Sequence, residues 1–227
     1  GFSEYGFPES HAASFALLVY ASACIKCHHP AEFLAGMLNS QPLGFYTPSQ
    51  LMQDAKRHGV EVRPVDVMHS DWDCTLEGLP HPPAVRLGLR MVSGLKKAAA
   101  KRLVAARRQA PPQSAEDLAL RAALDQHEMT LLAGADALMS LAGHRRQQVW
   151  EAAALKAAPK LLREAPVDEV YLELPAAPEG EEVVWDYAAT GLTLRSHPLA
   201  LLRPMLARQG WRSAAQLQHL SNGRRAS

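Results

Sequence analysis

Three groups of residues have the types and spacing to do chemistry. Cys24-Ile25-Lys26-Cys27-His28 is a C-x-x-C-H string, the pattern that attaches a c-type haem, and with His29 the same residues could be offered to zinc. Asp71 and Asp73 stand at the D-x-D spacing used by two-metal phosphoryl transfer. Between residues 78 and 113 there is no Asp or Glu, while Arg86, Arg90, Lys96, Lys97, Lys101, Arg102, Arg107 and Arg108 all fall inside that window. A basic window without acids is the sequence sign of an anion-binding surface, nucleic acid being the usual anion. Lys97 and Lys101, at i and i+4, share one helical face. The competing explanation is that Ala-rich helices simply need solvating charges.

The first two groups carry less. Haem attachment needs export, and the chain shows no basic-then-apolar leader. Zinc needs a second ligand pair at sensible spacing, and Cys74 is solitary. Asp71 and Asp73 follow His69-Ser70 in a turn-like stretch and read as flanking a strand, so no metal is assigned to them. The net charge of +1 hides a segregation, because residues 164–186 reverse the pattern with eight acids and no Lys or Arg. Three cysteines form no disulfide framework and fit a reducing cytosol, so the expected location is cytoplasmic. The longest apolar run, residues 12–25, is too short for a membrane span.

Those groups must be positioned by mostly helical elements. The hydrophobic fraction is 48% with only 6% aromatics and abundant Ala, which favours helices over a sandwich or barrel. Residues 12–28 predict a helix that is apolar nearly all round and hence buried on most sides, with Ser10 as N-cap. A second helix follows over 30–38. A third starts at Thr47-Pro48 and stops at Gly59, with Leu51, Met52 and Ala55 on its apolar side. Residues 60–90 change period: 60–62 alternate, 72–76 suit a short strand, and Val85, Leu87 and Leu89 share a face, together a small sheet. Gly94 opens a basic helix over 95–108 that Pro111-Pro112 ends. Ser114 to Asp117 looks like a cap for a helix over 115–124. Two more helices are split at Ala133-Gly134-Ala135, residues 152–162 are helical in composition, and the acidic, Pro-containing stretch 164–182 reads as a linker.

The run Gly6-Phe7-Pro8-Glu9-Ser10-His11-Ala12, continuing to Lys26 and His29-Pro30-Ala31-Glu32-Phe33, resembles the end of the fingers domain in bacterial C-family DNA polymerases, the alpha-subunit family. Glu9, where the replicative branch usually carries Lys, places it nearest the error-prone, translesion branch. Leu87-Gly88-Leu89-Arg90-Met91-Val92-Ser93-Gly94-Leu95, with the basic helix after it, resembles the first half of that family's tandem helix-hairpin-helix region. Leu131 to Leu138 with Gly143-His144-Arg145 resembles the second. Asp186-Tyr187 through Gly191-Leu192 to His197-Pro198-Leu199 resembles the lead into its OB-fold domain, whose first strand residues 212–225 would approach.

The resemblance implies a mainly α chain with a small β element: the end of a fingers domain over 1–65, a helix-hairpin-helix DNA-binding region over 66–150, and an acidic linker with an OB-fold lead-in over 151–227. It reads as a piece of a longer protein. The parent activity would be template-directed nucleotidyl transfer with two Mg²⁺ ions, on palm aspartates that are not in this chain, so the chain alone would be inactive. Ser10 and His11 would contact the incoming nucleotide, His11 against the sugar and Ser10 near the phosphates; the alternative is a helix cap and a first-turn filler. Gly94, Lys96, Lys97, Lys101 and Arg102 would contact duplex DNA. The physical reason is that a Gly turn lets backbone N–H groups at a helix start approach a phosphate. Lys96, two residues after Gly94, replaces the usual second hairpin glycine. The second hairpin is much less basic and reads as structural. Expected partners are primer-template DNA, a deoxynucleoside triphosphate, the sliding clamp and translesion accessory proteins, and no membrane. A non-catalytic helix-hairpin-helix DNA-binding module is the alternative from another class.

Overall fold

The computed structural model describes residues 9–78, 82–155 and 172–219. The protein is mainly helical, with one small sheet, in the order α1 (Glu9–His28), α2 (Pro30–Asn39), α3 (Pro48–Arg57), β1 (Val62–Arg63), β2 (Thr75–Glu77), β3 (Ala84–Arg86), a 3-10 turn (Leu89–Met91), α4 (Lys97–Gln109), α5 (Ala115–Arg121), α6 (Gln126–Gly134), α7 (Met139–Ala142), α8 (Arg145–Ala154), α9 (Glu179–Thr190), α10 (Pro198–Arg208) and α11 (Ala214–Leu217). Most starts follow capping chemistry. Thr47 and Gln50 form a capping box on α3, Ser114 caps α5 through the Asp117 N–H, and Asp125 with Glu128 boxes α6.

The sheet has the order β1-β3-β2, with β1 parallel and β2 antiparallel to β3. Val85 of β3 and, just beyond the strand, Leu87 and Leu89 are all buried, as their alternation predicts. Gly88 sits where a Cβ would lie 2.4 Å from the Asp73 backbone carbon, so no side chain fits between β3 and residues 72–73. One apolar core runs from Leu34, Leu38 and Met52 through Leu87 and Leu103 to Met129, Leu132, Leu138 and Ala152. It crosses residues 65 and 150 without a break, so those expected boundaries separate no cores.

Beyond the apolar core lies a buried ionic cluster. Arg145, 3% exposed, donates to the Glu182 carbonyl at 2.9 Å and to the Asp186 carboxylate. Arg195 donates to Asp136 at 2.9 Å and to Asp186 at 3.1 Å, and lies 3.1 Å from the Glu182 carboxylate. Thr193 adds a hydroxyl to Asp186 at 2.6 Å, and the Gln148 amide donates to Asp136 at 2.6 Å. The turn between α6 and α7, helix α8, helix α9 and the chain after it are thereby joined.

Three expectations change. Helix α1 begins at Glu9, so Ser10 lies inside it and is no N-cap; the Ser10 side chain lies outside the described residues. Nor is α1 buried: Leu17, Leu18, Val19 and Tyr20 are 60–74% exposed. Its main neighbour is α2, with Lys26 reaching Asp54 of α3 at 2.6 Å, and a helix apolar all round cannot bury every face against one partner. The acidic stretch does not stay a linker. Glu179, Glu181 and Glu182 occupy the first turn of α9, where carboxylates complement the positive end of the helix dipole, and Gly191 ends it at φ +72°. In the stretch expected to approach an OB-fold strand, Ser213 caps the short helix α11. The expected helix beyond 155, the linker up to 171 and the chain from 220 lie outside the described residues.

Glu77 gives a pH test of the sheet. Arg86 forks onto both its oxygens at 2.8 and 3.1 Å and Arg63 adds a bond at 2.8 Å, which holds the carboxyl at about 2 against an ordinary 4.5. The folded value is depressed, so its stabilisation is present above the unfolded value and lost as pH falls from 4.5 towards 2. Glu77→Gln is expected to cost about 2 kcal/mol at neutral pH and to flatten the acid limb of the pH–stability curve. Urea melts between pH 2 and 7 check both.

Candidate nucleic-acid interface

The hairpin that ends in α4 is built around Gly94, whose φ of +81° is left-handed and unsuited to a side chain. Its approach is fixed from two sides. The Ser93 N–H donates to the Ala189 carbonyl at the end of α9 (2.8 Å), and Leu131 of α6 packs 3.5 Å from the Gly94 Cβ position. Helix α4 then starts without a side-chain cap, in contrast to α3, α5 and α6, and with no acid in its first turn, in contrast to α5 and α6. Its first N–H groups are therefore available to an anion, with Lys96 as N-cap and Lys97 as the first helical residue.

The acid-free window divides in two. Four of its eight cations are engaged by protein acceptors, and all four are arginines. Arg86 holds Glu77 and the Pro64 carbonyl; Arg90 holds Asp73 and the carbonyls of Asn39 and Gln41. Arg107 holds Asp71 and the carbonyls of Val67 and Ser70. Arg102, expected on DNA, donates to the carbonyls of Ala122 and Ala123 and to Glu128 at 2.7 Å, so it fastens α4 to α5 and α6. The planar guanidinium fork suits such multiple acceptors. Lys96, Lys97, Lys101 and Arg108 face solvent, Arg108 being 73% exposed.

Lys97, Lys101 and Arg108 are spaced i, i+4 and i+11, one stripe along α4. Beside the stripe runs a groove of about 470 Å³ lined by Asp71, Trp72, Asp73, Lys101 and Arg108 among others. The Lys97 ammonium lies 5.9 Å from the Trp72 ring centroid. Trp72 and Arg108 were absent from the expected site set. The i+11 spacing could have found Arg108, whereas Trp72, read as the start of a strand, sits in the loop before β2.

The remaining candidates lie elsewhere. Asp71 and Asp73 are engaged by Arg107 and Arg90 at 2.8 and 2.9 Å, so they do not offer a pair of free carboxylates. Cys24 and Cys27 are exposed on α1, and among the described residues no group of three or more His, Cys, Asp or Glu is placed to hold a metal ion. His11 is exposed on α1, its ring edge-on to Phe15 with centroids 4.4 Å apart. At the second hairpin, Arg145 is buried in the ionic cluster, and His144 caps α8 through the Gln147 N–H while its other ring nitrogen bonds the Leu174 carbonyl. Among the described residues, no helix is long and apolar enough to cross a membrane.

Two neighbours on α4 should therefore respond in opposite ways. Arg102→Ala is expected to lower stability by about 1–2 kcal/mol, because two carbonyls and Glu128 lose their donor. Lys101→Ala is expected to stay within about 0.5 kcal/mol of the parent. Chemical denaturation of both variants checks this.

Residues 59–148 match the family model described as a helix-hairpin-helix motif, a span that contains both hairpins. Nearly the whole chain is similar to proteins named error-prone DNA polymerase. Identity is 55% to that of Methylococcus capsulatus, over 98% of this chain and 23% of the relative. It is 58% to that of Azoarcus sp. strain BH72, over 96% and 21%, and 54% to that of Ralstonia nicotianae, over 100% and 22%. The chain spans about a fifth of the length of these curated relatives. A hairpin region with outward lysines, and identity above one half along nearly every residue, lead to one assignment: over the segment it spans, the chain belongs to the error-prone DNA polymerase family.

Proposed function

We propose that this chain gives an error-prone DNA polymerase its grip on duplex DNA, through the first turn of α4 and the cations beside it. The observation that carries this reading is the uncapped start of α4 with Lys96, Lys97, Lys101 and Arg108 facing solvent, inside the helix-hairpin-helix region. Backbone N–H groups and flexible ammonium groups bind phosphates without reading bases, so the contact positions the duplex and carries no sequence preference. Error-prone synthesis across varied templates is compatible with such a contact.

The same reading extends to the whole polymerase. Its reaction is template-directed nucleotidyl transfer, in which two Mg²⁺ ions neutralise the developing charge on the phosphates. Asp71 and Asp73, which stand at the spacing for that role, are held by arginines, and this reading puts the Mg²⁺ ligands elsewhere in the whole polymerase. Ser10 and His11 on α1 contact the incoming deoxynucleoside triphosphate, and the primer-template, the clamp and translesion accessory proteins complete the cytoplasmic assembly. The exposed apolar faces of α1 suit packing against the rest of the fingers.

Salt titration tests the duplex contact. Each neutralised phosphate contributes about −0.9 to the log–log slope of affinity against salt, so four cations give a slope of about −3 to −4. Lys97→Ala/Lys101→Ala is expected to flatten it by about 2. A flat response in the parent chain, or no binding at low salt, overturns the reading.

His11 is tested in the whole polymerase. If it crowds C2′ of the incoming sugar, His11→Ala relaxes discrimination against ribonucleotides while deoxynucleotide addition changes less, because crowding acts only on the wrong substrate. Single-nucleotide kinetics with matched ribo- and deoxyribonucleotides read the ratio of kcat/KM values. An unchanged ratio with both rates lowered returns His11 to helix packing.

A further inference from the structure

We propose that a second pocket, built by α3 and the chain around α9 and α10, binds a phosphate group. It encloses about 240 Å³ and is lined by Gln53, Lys56, Arg57, Tyr187, Arg195 and His197 over a floor that includes Met52 and Thr193. None of these residues is acidic. Three other concavities among the described residues each include a carboxylate: Asp54 in one, Glu181 and Glu182 in another, Asp71 and Asp73 in the groove beside α4.

The donors are held in place. The Lys56 ammonium donates to the Leu194 carbonyl at 3.1 Å, which uses one of its three N–H bonds and stations it at the pocket. Arg57, next in sequence, is exposed at the end of α3. The His197 Nδ1 accepts the Leu199 N–H at 3.2 Å as the cap of α10, which assigns the ring proton to Nε2 and makes that nitrogen a donor. Arg195 is fixed by Asp136 and Asp186, so it shapes the wall while its charge is already balanced. Net positive charge therefore comes from Lys56 and Arg57, and neutral donors come from His197, Gln53 and the Tyr187 hydroxyl. Donors with two exposed cations and no carboxylate in the lining suit a phosphate oxyanion. The phosphate has two possible sources, the backbone of a nucleic-acid strand or a free phosphoanion. This inference uses none of the residues assigned to the duplex contact on α4.

The test uses the whole chain, Lys56→Gln/Arg57→Gln, and Lys97→Ala/Lys101→Ala. Lys56 and Arg57 are exposed, so matching thermal melts are expected. In one arm, inorganic pyrophosphate is titrated while the His197 ring signals are followed by NMR. In the other, single-stranded and duplex oligonucleotides are titrated over a range of salt. A free anion as ligand gives saturable His197 shifts, weakened about tenfold or more in Lys56→Gln/Arg57→Gln and unchanged in Lys97→Ala/Lys101→Ala. A strand as ligand gives, in the pocket variant alone, a single-strand salt slope flatter by about 2. Either result supports the pocket and names its source. Loss of duplex binding on α4 with saturable His197 shifts retained rejects the α4 reading only. Unsaturable His197 shifts together with a parental salt slope in the pocket variant overturn the proposal.

Discussion

Arg145 and Arg195 share Asp136, Glu182 and Asp186 in one interlocked cluster, where burial would penalise a charge left without its partners. The three carboxylates and Arg145 are all under 10% exposed. Removing one partner of such a cluster typically costs 3–5 kcal/mol, because an uncompensated charge is left inside. What the cluster secures is position. It pins α9 to the start of α8 and, through Arg195, to the turn between α6 and α7; the Ala189 carbonyl of α9 then holds the Ser93 N–H, and the next residue is the left-handed Gly94 that aims the start of α4. The surface assigned to DNA thus depends on a charge network whose members lie 40 to 100 residues away in sequence.

The division of labour between arginine and lysine follows from their chemistry. Arg86, Arg90, Arg102 and Arg107 each take two or more acceptors, several of them carbonyls at the ends of loops or helices, and so act as internal brackets. An ammonium on a flexible stem is better hydrated and gains less from such sites, and Lys96, Lys97 and Lys101 remain on the surface. Arg102 and Lys101 are adjacent and equal in charge, yet helical rotation sends one to Glu128 and the other to the solvent groove.

Local signals in the sequence located most elements. Thr47-Pro48, Ser114 and Gly94 are short-range devices, and each acts where its chemistry predicts. The acid-free window predicted a basic surface but overstated it, because the partners of its arginines, Glu77, Asp73, Glu128 and Asp71, lie just outside the window and meet it only in the fold. The same limit hid the ionic cluster: Asp136, Arg145, Glu182, Asp186 and Arg195 form no spacing motif. Helix α1 failed in the opposite way. Its all-round apolarity implied burial, and in this structure only one face meets α2.

The central claim is that the first hairpin, and not the second, is the face that meets duplex DNA. Hydrogen–deuterium exchange of the chain with and without a saturating duplex tests it most directly, since both hairpins are read in one experiment. The account predicts slowed exchange across residues 94–101, where uncapped N–H groups meet phosphate, and no change across 144–148, where His144 and the ionic cluster already occupy the available groups. Protection at 144–148 with none at 94–101 would contradict it.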